Sequence, residues 1–262
     1  MIGITGGKGI LGKILASQYK ERNIEVSIFD GDITNFDQIK NWLSTHSISK
    51  IIHLASKVAV KDVQSNLANA YDVNVSGTIN LLKALSQLDK DVYFFYASSS
   101  HIYKSSELPL TENDVIAPIN SYGLTKYMSE LLLNDYKNNN SNFHLCIGRI
   151  FSFYHDTQKP PFLYPSLLER FQNEDLEKPF QLYGALSTRD FLNAEQVCEI
   201  IEKLIEKKYQ GTVNIASGTS TKIIDFVQKI APQKLFFQYD LSEKQNHLNA
   251  DISLLNSILK HE

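Results

Sequence analysis

The chain has 262 residues, enough for one large α/β domain with a small appendage, and its 43% hydrophobic and 21% charged content is ordinary for a soluble enzyme. A formal net charge of −3 provides no basic field for gripping nucleic acid, which argues against a nucleic-acid partner. Cys146 and Cys198 lie too far apart for a Cys-x-x-Cys pair, and neither a basic leader nor a long apolar run is present; a reduced, cytoplasmic chain without a membrane partner is expected.

In chain order, the short apolar runs Ile2–Thr5, Glu25–Phe29, Lys50–Leu54, Val92–Ala97, His144–Gly148 and Thr212–Ile215 read as strands buried on both faces. Between them, Ile10–Arg22, Phe36–Thr45, Ala68–Leu88 and Tyr122–Lys137 carry apolar residues at three- and four-residue spacing and read as helices. Asn138-Asn139-Asn140 reads as a turn. Parallel strands need crossover helices, so this alternation predicts an α/β fold, a doubly wound parallel Rossmann sheet. From about Phe153 the pattern loosens around Pro160, Pro161, Pro165 and Pro179. That change predicts a nucleotide domain over 1–152, to which 186–217 return. A smaller discontinuous C-terminal substrate lobe would comprise 153–185 and 218–262.

Thr5-Gly6-Gly7-Lys8-Gly9-Ile10-Leu11-Gly12 joins the first strand to the first helix. Gly6 permits the tight turn, Gly9 lets backbone approach a pyrophosphate, and Gly12 packs helix on strand. The N–H groups around Ile10 and Leu11 then face the phosphates with the positive end of the helix dipole. Asp30 ends the second strand, where a carboxylate accepts from ribose hydroxyls and repels a 2′-phosphate. It favours NAD; Lys8 is the residue that argues for NADP.

These segments extend into a longer series: Gly31-Asp32-Ile33-Thr34-Asn35, His53-Leu54-Ala55-Ser56, Val73-Asn74-Val75-Ser76-Gly77-Thr78 and Tyr96-Ala97-Ser98-Ser99-Ser100. Ser121-Tyr122-Gly123-Leu124-Thr125-Lys126, Gly148-Arg149-Ile150-Phe151-Ser152, Thr188-Arg189-Asp190-Phe191 and Asn214-Ile215-Ala216-Ser217-Gly218 complete it. In this order the chain resembles the extended short-chain dehydrogenases, the NAD-dependent epimerase/dehydratase family, along nearly its whole length. The resemblance implies cofactor contacts from Asp32, Ile33, Leu54, Ala55 and Ser56 besides the glycine loop. It also implies a homodimer formed through the Ala68–Leu88 and Tyr122–Lys137 helices. The chain departs from the family in the short segment between its second and third strands, in Ser152 where many members have Asn, and in its early end.

Tyr122 and Lys126 are four residues apart and share one helix face. A free phenol with a pKa near about 10 is a poor catalyst at neutral pH, and a neighbouring ammonium and an oxidised nicotinamide would lower it. Lys126 would also bond the nicotinamide ribose. By the family's spacing to Ile102-Tyr103, Ser99 on the loop after the fourth strand is the third catalytic residue, with Ser98 and Ser100 bonding around it. His101 stands where family dehydratases carry Glu, which disfavours sugar dehydration. Its readings are a proton-exchanging or hydrogen-bonding group facing the sugar and a solvated loop residue. Arg189 matches the family residue that reaches the substrate pyrophosphate; a salt bridge with Asp190 or a neighbour is its other reading. Ser100, His101, Ser152 and Arg189 thus join Ser99 as expected substrate contacts. The seven scattered histidines give no metal site.

The resemblance implies an NAD(P)-dependent enzyme acting on a nucleotide sugar, foremost a 4-keto-sugar reductase. A nucleotide-sugar 4-epimerase and a non-catalytic dinucleotide-sensing protein are the alternatives.

Overall fold

Ile2–Thr5 (β1) is a fully buried strand, and what surrounds it sets the architecture. It pairs in parallel with Val26–Phe29 (β2) on one side and Lys50–His53 (β3) on the other, with Ile10–Glu21 (α1) and Phe36–Thr45 (α2) as the crossovers. The computed structural model describes residues 1–88 and 90–260. Asp89 and the last two residues of the predicted lobe, 261 and 262, lie outside the described residues.

Beyond β3 the chain forms Val60–Ser65 (α3), Leu67–Tyr71 (α4), a π-helical turn at Asp72–Ser76 and Gly77–Leu85 (α5). The single helix expected over Ala68–Leu88 is therefore broken by a wider turn, which turns Asn74 into the interior. Val92–Ser99 (β4), the 3₁₀ turn Ser100–Ile102, Ser121–Asn139 (α6) and Phe143–Ile150 (β5) follow. Asn138 and Asn139 continue the helix instead of turning, and Asn140 is its C-cap.

Next come Ser152–Tyr154 (β6), Leu163–Asn173 (α7), Phe180–Gln181 (β7), Thr188–Asn193 (β8), Ala194–Glu206 (α8) and Gly211–Ile215 (β9). Ser220–Lys222 (β10), Ile223–Ile230 (α9), Phe237–Gln238 (β11), His247–Leu248 (β12) and Ser253–Lys260 (α10) complete the chain. Asparagine side chains cap α2, α4, α6 and α8, and Asn193 with Gln196 forms a reciprocal capping box on α8.

The six-stranded parallel sheet has the order β2-β1-β3-β4-β5-β9 and is Rossmann-like. Because the chain runs from β1 outward to β2 and then back to β3, the switch point falls between β1 and β3, where the strand ends open a crevice. One face packs against α1, α8 and α10 through residues such as Leu15, Cys198 and Leu255. The other packs against α2, α5 and α6 through Leu43, Leu81 and Leu133. The edge strand β2 departs from the expectation of burial on both faces: Ile28 is 43% exposed.

A second sheet pairs β8 with β10, β12 and β6. Two segments sit differently from the predicted division. Residues 188–193 form the centre of this second sheet, so the return to the main sheet begins with α8. Helix α10 packs by Leu255 on the main core, because its apolar stripe has a partner there and the lobe's cluster around Phe180, Phe226 and Leu235 is closed without it.

Candidate active site

The crevice begins at Gly6, whose φ of +74° is open to glycine alone at low cost. Its N–H-to-carbonyl turn closes at 2.9 Å, from Gly9 N to Gly6 O. A methyl at Gly12 would lie 2.5 Å from Gly6 O and 2.6 Å from Gly7 Cα, so the loop can lie on the helix only without one. No side chain caps α1 at Gly9, which leaves its first N–H groups to an external acceptor. This is a cradle of the shape and polarity that a dinucleotide pyrophosphate needs.

Beneath it, Thr5 Oγ1 meets His53 Nδ1 at 2.6 Å and accepts from Ala55 N at 3.3 Å. His53 Nε2 meets Thr78 Oγ1 at 3.1 Å, so one buried imidazole ties the ends of β1 and β3 to α5. Full burial, aided by the Lys126 charge, pushes its pKa down to about 3 and keeps it neutral. The loop after it carries Leu54 and Ala55, while Ser56 Oγ donates to Asn74 Oδ1 at 2.9 Å. Asn74 also accepts from Lys57 N at 2.7 Å and donates to Thr125 Oγ1 at 2.9 Å, joining this loop to α6.

At the far edge, Lys8 Nζ and Asp30 Oδ1 pair at 2.5 Å, so the two residues read as having opposing cofactor preferences are ion-pair partners. Asp32 accepts from Thr34 N at 2.9 Å and Thr34 Oγ1 at 2.8 Å, which holds its carboxyl below the usual range. The Ile33 side chain is buried against Gly77 and belongs to the core, leaving only its backbone to a ligand.

Ser99 is the last residue of β4 rather than part of the following loop. Tyr122 and Lys126 face it from α6. Burial pushes Tyr122 up to about 12, with the Ser99 hydroxyl bonding it and opposing that rise. Lys126 stands back from the phenol. Its Nζ lies 6.0 Å from the Tyr122 ring centre and donates to Ala97 O at 2.8 Å. Burial pushes Lys126 down to about 7, against the pull of Glu130. Glu130 itself is held by Arg149 at 2.9 Å and by Ser98 Oγ at 2.5 Å, a buried polar layer under the site that fixes the end of β4.

His101 is not a solvated loop residue. Its ring packs edge-on against Tyr122 at 5.6 Å between centres. Burial and the Arg189 charge push it down to about 4, so the ring is neutral at neutral pH. Arg189 makes no salt bridge with Asp190, whose carboxylate instead accepts from Ser217 N, Ser217 Oγ and Gly218 N at 2.7–2.8 Å. The guanidinium donates only to the carbonyls of Thr188 and Asn246, at 2.8 and 2.6 Å. Among the described residues it has no anionic partner. Ser152 lies on β6 and pairs with Phe191, beside the strand that carries Arg189; Ser100 is buried in the 3₁₀ turn.

The structure thus gathers the glycine loop, Ser99, Tyr122, Lys126 and His101 at the strand ends, with Arg189 entering from the second sheet. Asn74, Asn120 and His53 were not singled out from the sequence. Each lies in or beside a matched motif, but its role depends on partners 17 or more residues away. No group of three or more His, Cys, Asp or Glu residues able to hold a metal occurs among the described residues. Among them, no helix is long and apolar enough to cross a membrane.

The profile of the GDP-mannose 4,6 dehydratase family matches residues 9–251. The chain is 28% identical to a UDP-glucose 4-epimerase of Mycoplasma genitalium, covering 87% of this chain and 81% of that protein. It is also 28% identical to a GDP-6-deoxy-D-talose 4-dehydrogenase of Aggregatibacter actinomycetemcomitans, over 94% and 83%. In fold it is similar to RMD from Pseudomonas aeruginosa complexed with NADPH, with a TM-score of 0.86, 22% identity and coverage of 98% and 91%. A Thermus thermophilus UDP-glucose 4-epimerase complexed with NAD gives 0.82, 18% identity and 98% and 92% coverage.

Proposed function

This chain belongs to the GDP-mannose 4,6 dehydratase family of extended short-chain dehydrogenases, and from that premise we propose that it is an NAD(P)-dependent reductase of a nucleotide-activated 4-keto sugar. The observation that carries the reading is the grouping of Ser99, Tyr122 and Lys126 at the end of β4, beside a glycine loop shaped for a pyrophosphate. The GDP-6-deoxy-D-talose 4-dehydrogenase relative, a redox enzyme by its name, supports it.

Gly6, Gly9, Gly12 and the N–H groups at Ile10 and Leu11 would hold the dinucleotide phosphates, and Asp30 and Asp32 the adenosine end. Leu54, Ala55 and Ser56 would line its path, and Lys126 would bond the nicotinamide ribose. Bound there, the nicotinamide supplies or accepts a hydride. The chain's own residues handle the proton. Tyr122, with a pKa near 12, is a protonated phenol at neutral pH and can donate to a carbonyl oxygen as that oxygen becomes an alcohol. Ser99 bonds the same oxygen and fixes its distance from the phenol. Arg189, a half-buried cation with carbonyl partners alone, suits a nucleotide diphosphate; Ser100, His101 and Ser152 would face the sugar.

A 4-epimerase uses the same three residues and is the second reading, favoured by the Mycoplasma genitalium relative. Purified protein that oxidises added NADH or NADPH stoichiometrically with a 4-keto nucleotide sugar supports reduction. Protein that carries tightly held cofactor and interconverts two sugars without net redox change refutes it in favour of epimerisation.

For the assembly, we propose a homodimer through α4–α6. Leu67, Ile79, Leu124 and Leu131 are exposed there, and a monomer in light scattering would contradict this. Two buried cysteines free of disulfides suit a reducing, cytoplasmic setting.

A further inference from the structure

Helix α6 starts at Asn120, whose backbone is extended and whose Oδ1 accepts the Gly123 N–H at 2.9 Å. An amide oxygen accepts and an amide nitrogen only donates. With Oδ1 committed to the cap, the atom that faces His101 Nδ1 at 2.9 Å is Nδ2, a donor. His101 Nδ1 must then present its lone pair. The proton of the neutral ring consequently sits on Nε2, which bonds to no described residue. Turning the amide over would strip the cap from the helix that carries Tyr122 and Lys126.

The main chain holds the ring in the same place. His101 O accepts from Ile119 N at 3.0 Å, and His101 N donates to Ser99 Oγ at 3.2 Å. A Cβ at Gly123 would stand 2.1 Å from His101 O, so only glycine lets the helix come this close. The charged and titratable groups facing the imidazole are Arg189 from β8 and Tyr122 from α6. Neither stabilises an imidazolium.

We infer that Asn120 is a positioning residue that locks His101 as the Nε2–H tautomer, so that position 101 recognises an acceptor oxygen on the substrate and relays no proton. The identity of that substrate rests on the reductase reading, but the lock itself does not. For a 4-keto sugar the consequence is that His101 takes no part in epimerising the carbons flanking the ketone, because its lone pair, on Nδ1, is taken up by Asn120.

The test is two-bond ¹H–¹⁵N NMR of the ¹⁵N-histidine protein without cofactor or substrate, with His101 assigned by its loss in His101→Gln. Wild type should show the Nε2–H tautomer from about pH 5.5 to 8. Asn120→Asp keeps an equally good cap but replaces the donor by an acceptor. In that variant the proton should move to Nδ1, and the His101 midpoint should rise by about 1–3 pH units. An Nδ1–H tautomer in wild type, or an Asn120→Asp spectrum and titration identical to wild type, overturns the proposal. Should Asn120→Asp fail to fold, the wild-type tautomer decides alone. Because no ligand is present, a failed reductase assay leaves this result untouched.

Discussion

Gly9→Ala and Gly12→Ala each add one methyl to the phosphate loop, and the structure assigns them different outcomes. At Gly9 the new carbon would meet only Gly6 O, at 3.2 Å, and the backbone φ of −74° suits any L-residue. Losing glycine at the N-cap costs about 1 kcal/mol, offset by about 0.4–1 kcal/mol from a less flexible unfolded chain. The cofactor-free melting temperature should therefore stay within about 3 °C of wild type. Binding should not survive as well, since the methyl occupies the backbone surface that the pyrophosphate must approach. A tenfold or greater loss of NADH affinity, about 1.4 kcal/mol, is expected. Gly12→Ala instead drives its methyl to 2.5 Å from Gly6 O, and backbone cannot rotate away. Overpacking of this kind costs about 1–3 kcal/mol, so this variant should lose both melting temperature and affinity. Thermal denaturation without cofactor and fluorescence titration with NADH separate the two cases. If Gly9→Ala melts as low as Gly12→Ala, or binds NADH like wild type, the loop is not the phosphate cradle described above.

Tyr122→Phe should lower turnover at least about a hundredfold while NADH still binds, and near-normal turnover would remove the phenol from the proton path. Arg189→Ala should raise the substrate KM with cofactor affinity spared; an unchanged KM with a lower melting temperature would make the guanidinium a strut between Thr188 and Asn246. With Asp30→Ala, the Lys8 ammonium loses its partner and any discrimination against NADPH should narrow or reverse, whereas a wild type that already prefers NADPH would show that Lys8 governs the pocket. The folded-state pKa of His53, about 3, lies below its ordinary 6.5, so its contribution to stability is present above 6.5 and is lost as pH falls from there toward 3. Urea unfolding at pH 7 and 5 should show wild type losing about 2 kcal/mol more than His53→Gln over that interval, and parallel losses would sink the assignment.

The fold was legible in the sequence wherever local pattern and burial agree. Strands β1, β3, β4, β5 and β9 are short apolar runs because both faces are covered, and α1, α2 and α6 announce themselves by spacing. The glycine loop and the Tyr122–Lys126 pair were legible too, since adjacency along the chain is enough to place them on one turn or one helix face. What the pattern did not carry is anything that depends on a distant partner. The π-turn that carries Asn74 inward reads as plain helix, because apolar spacing is insensitive to one extra residue in a turn. Strand β8 looked like part of the nucleotide domain and α10 like part of the lobe, since an apolar stripe says that a face will be buried and not against what. The titration shifts of Tyr122, Lys126 and His101 were decided by tertiary structure alone. Free side chains titrate near their ordinary values, and it is desolvation under α6 and β4, with Arg189 brought in from the second sheet, that moves them.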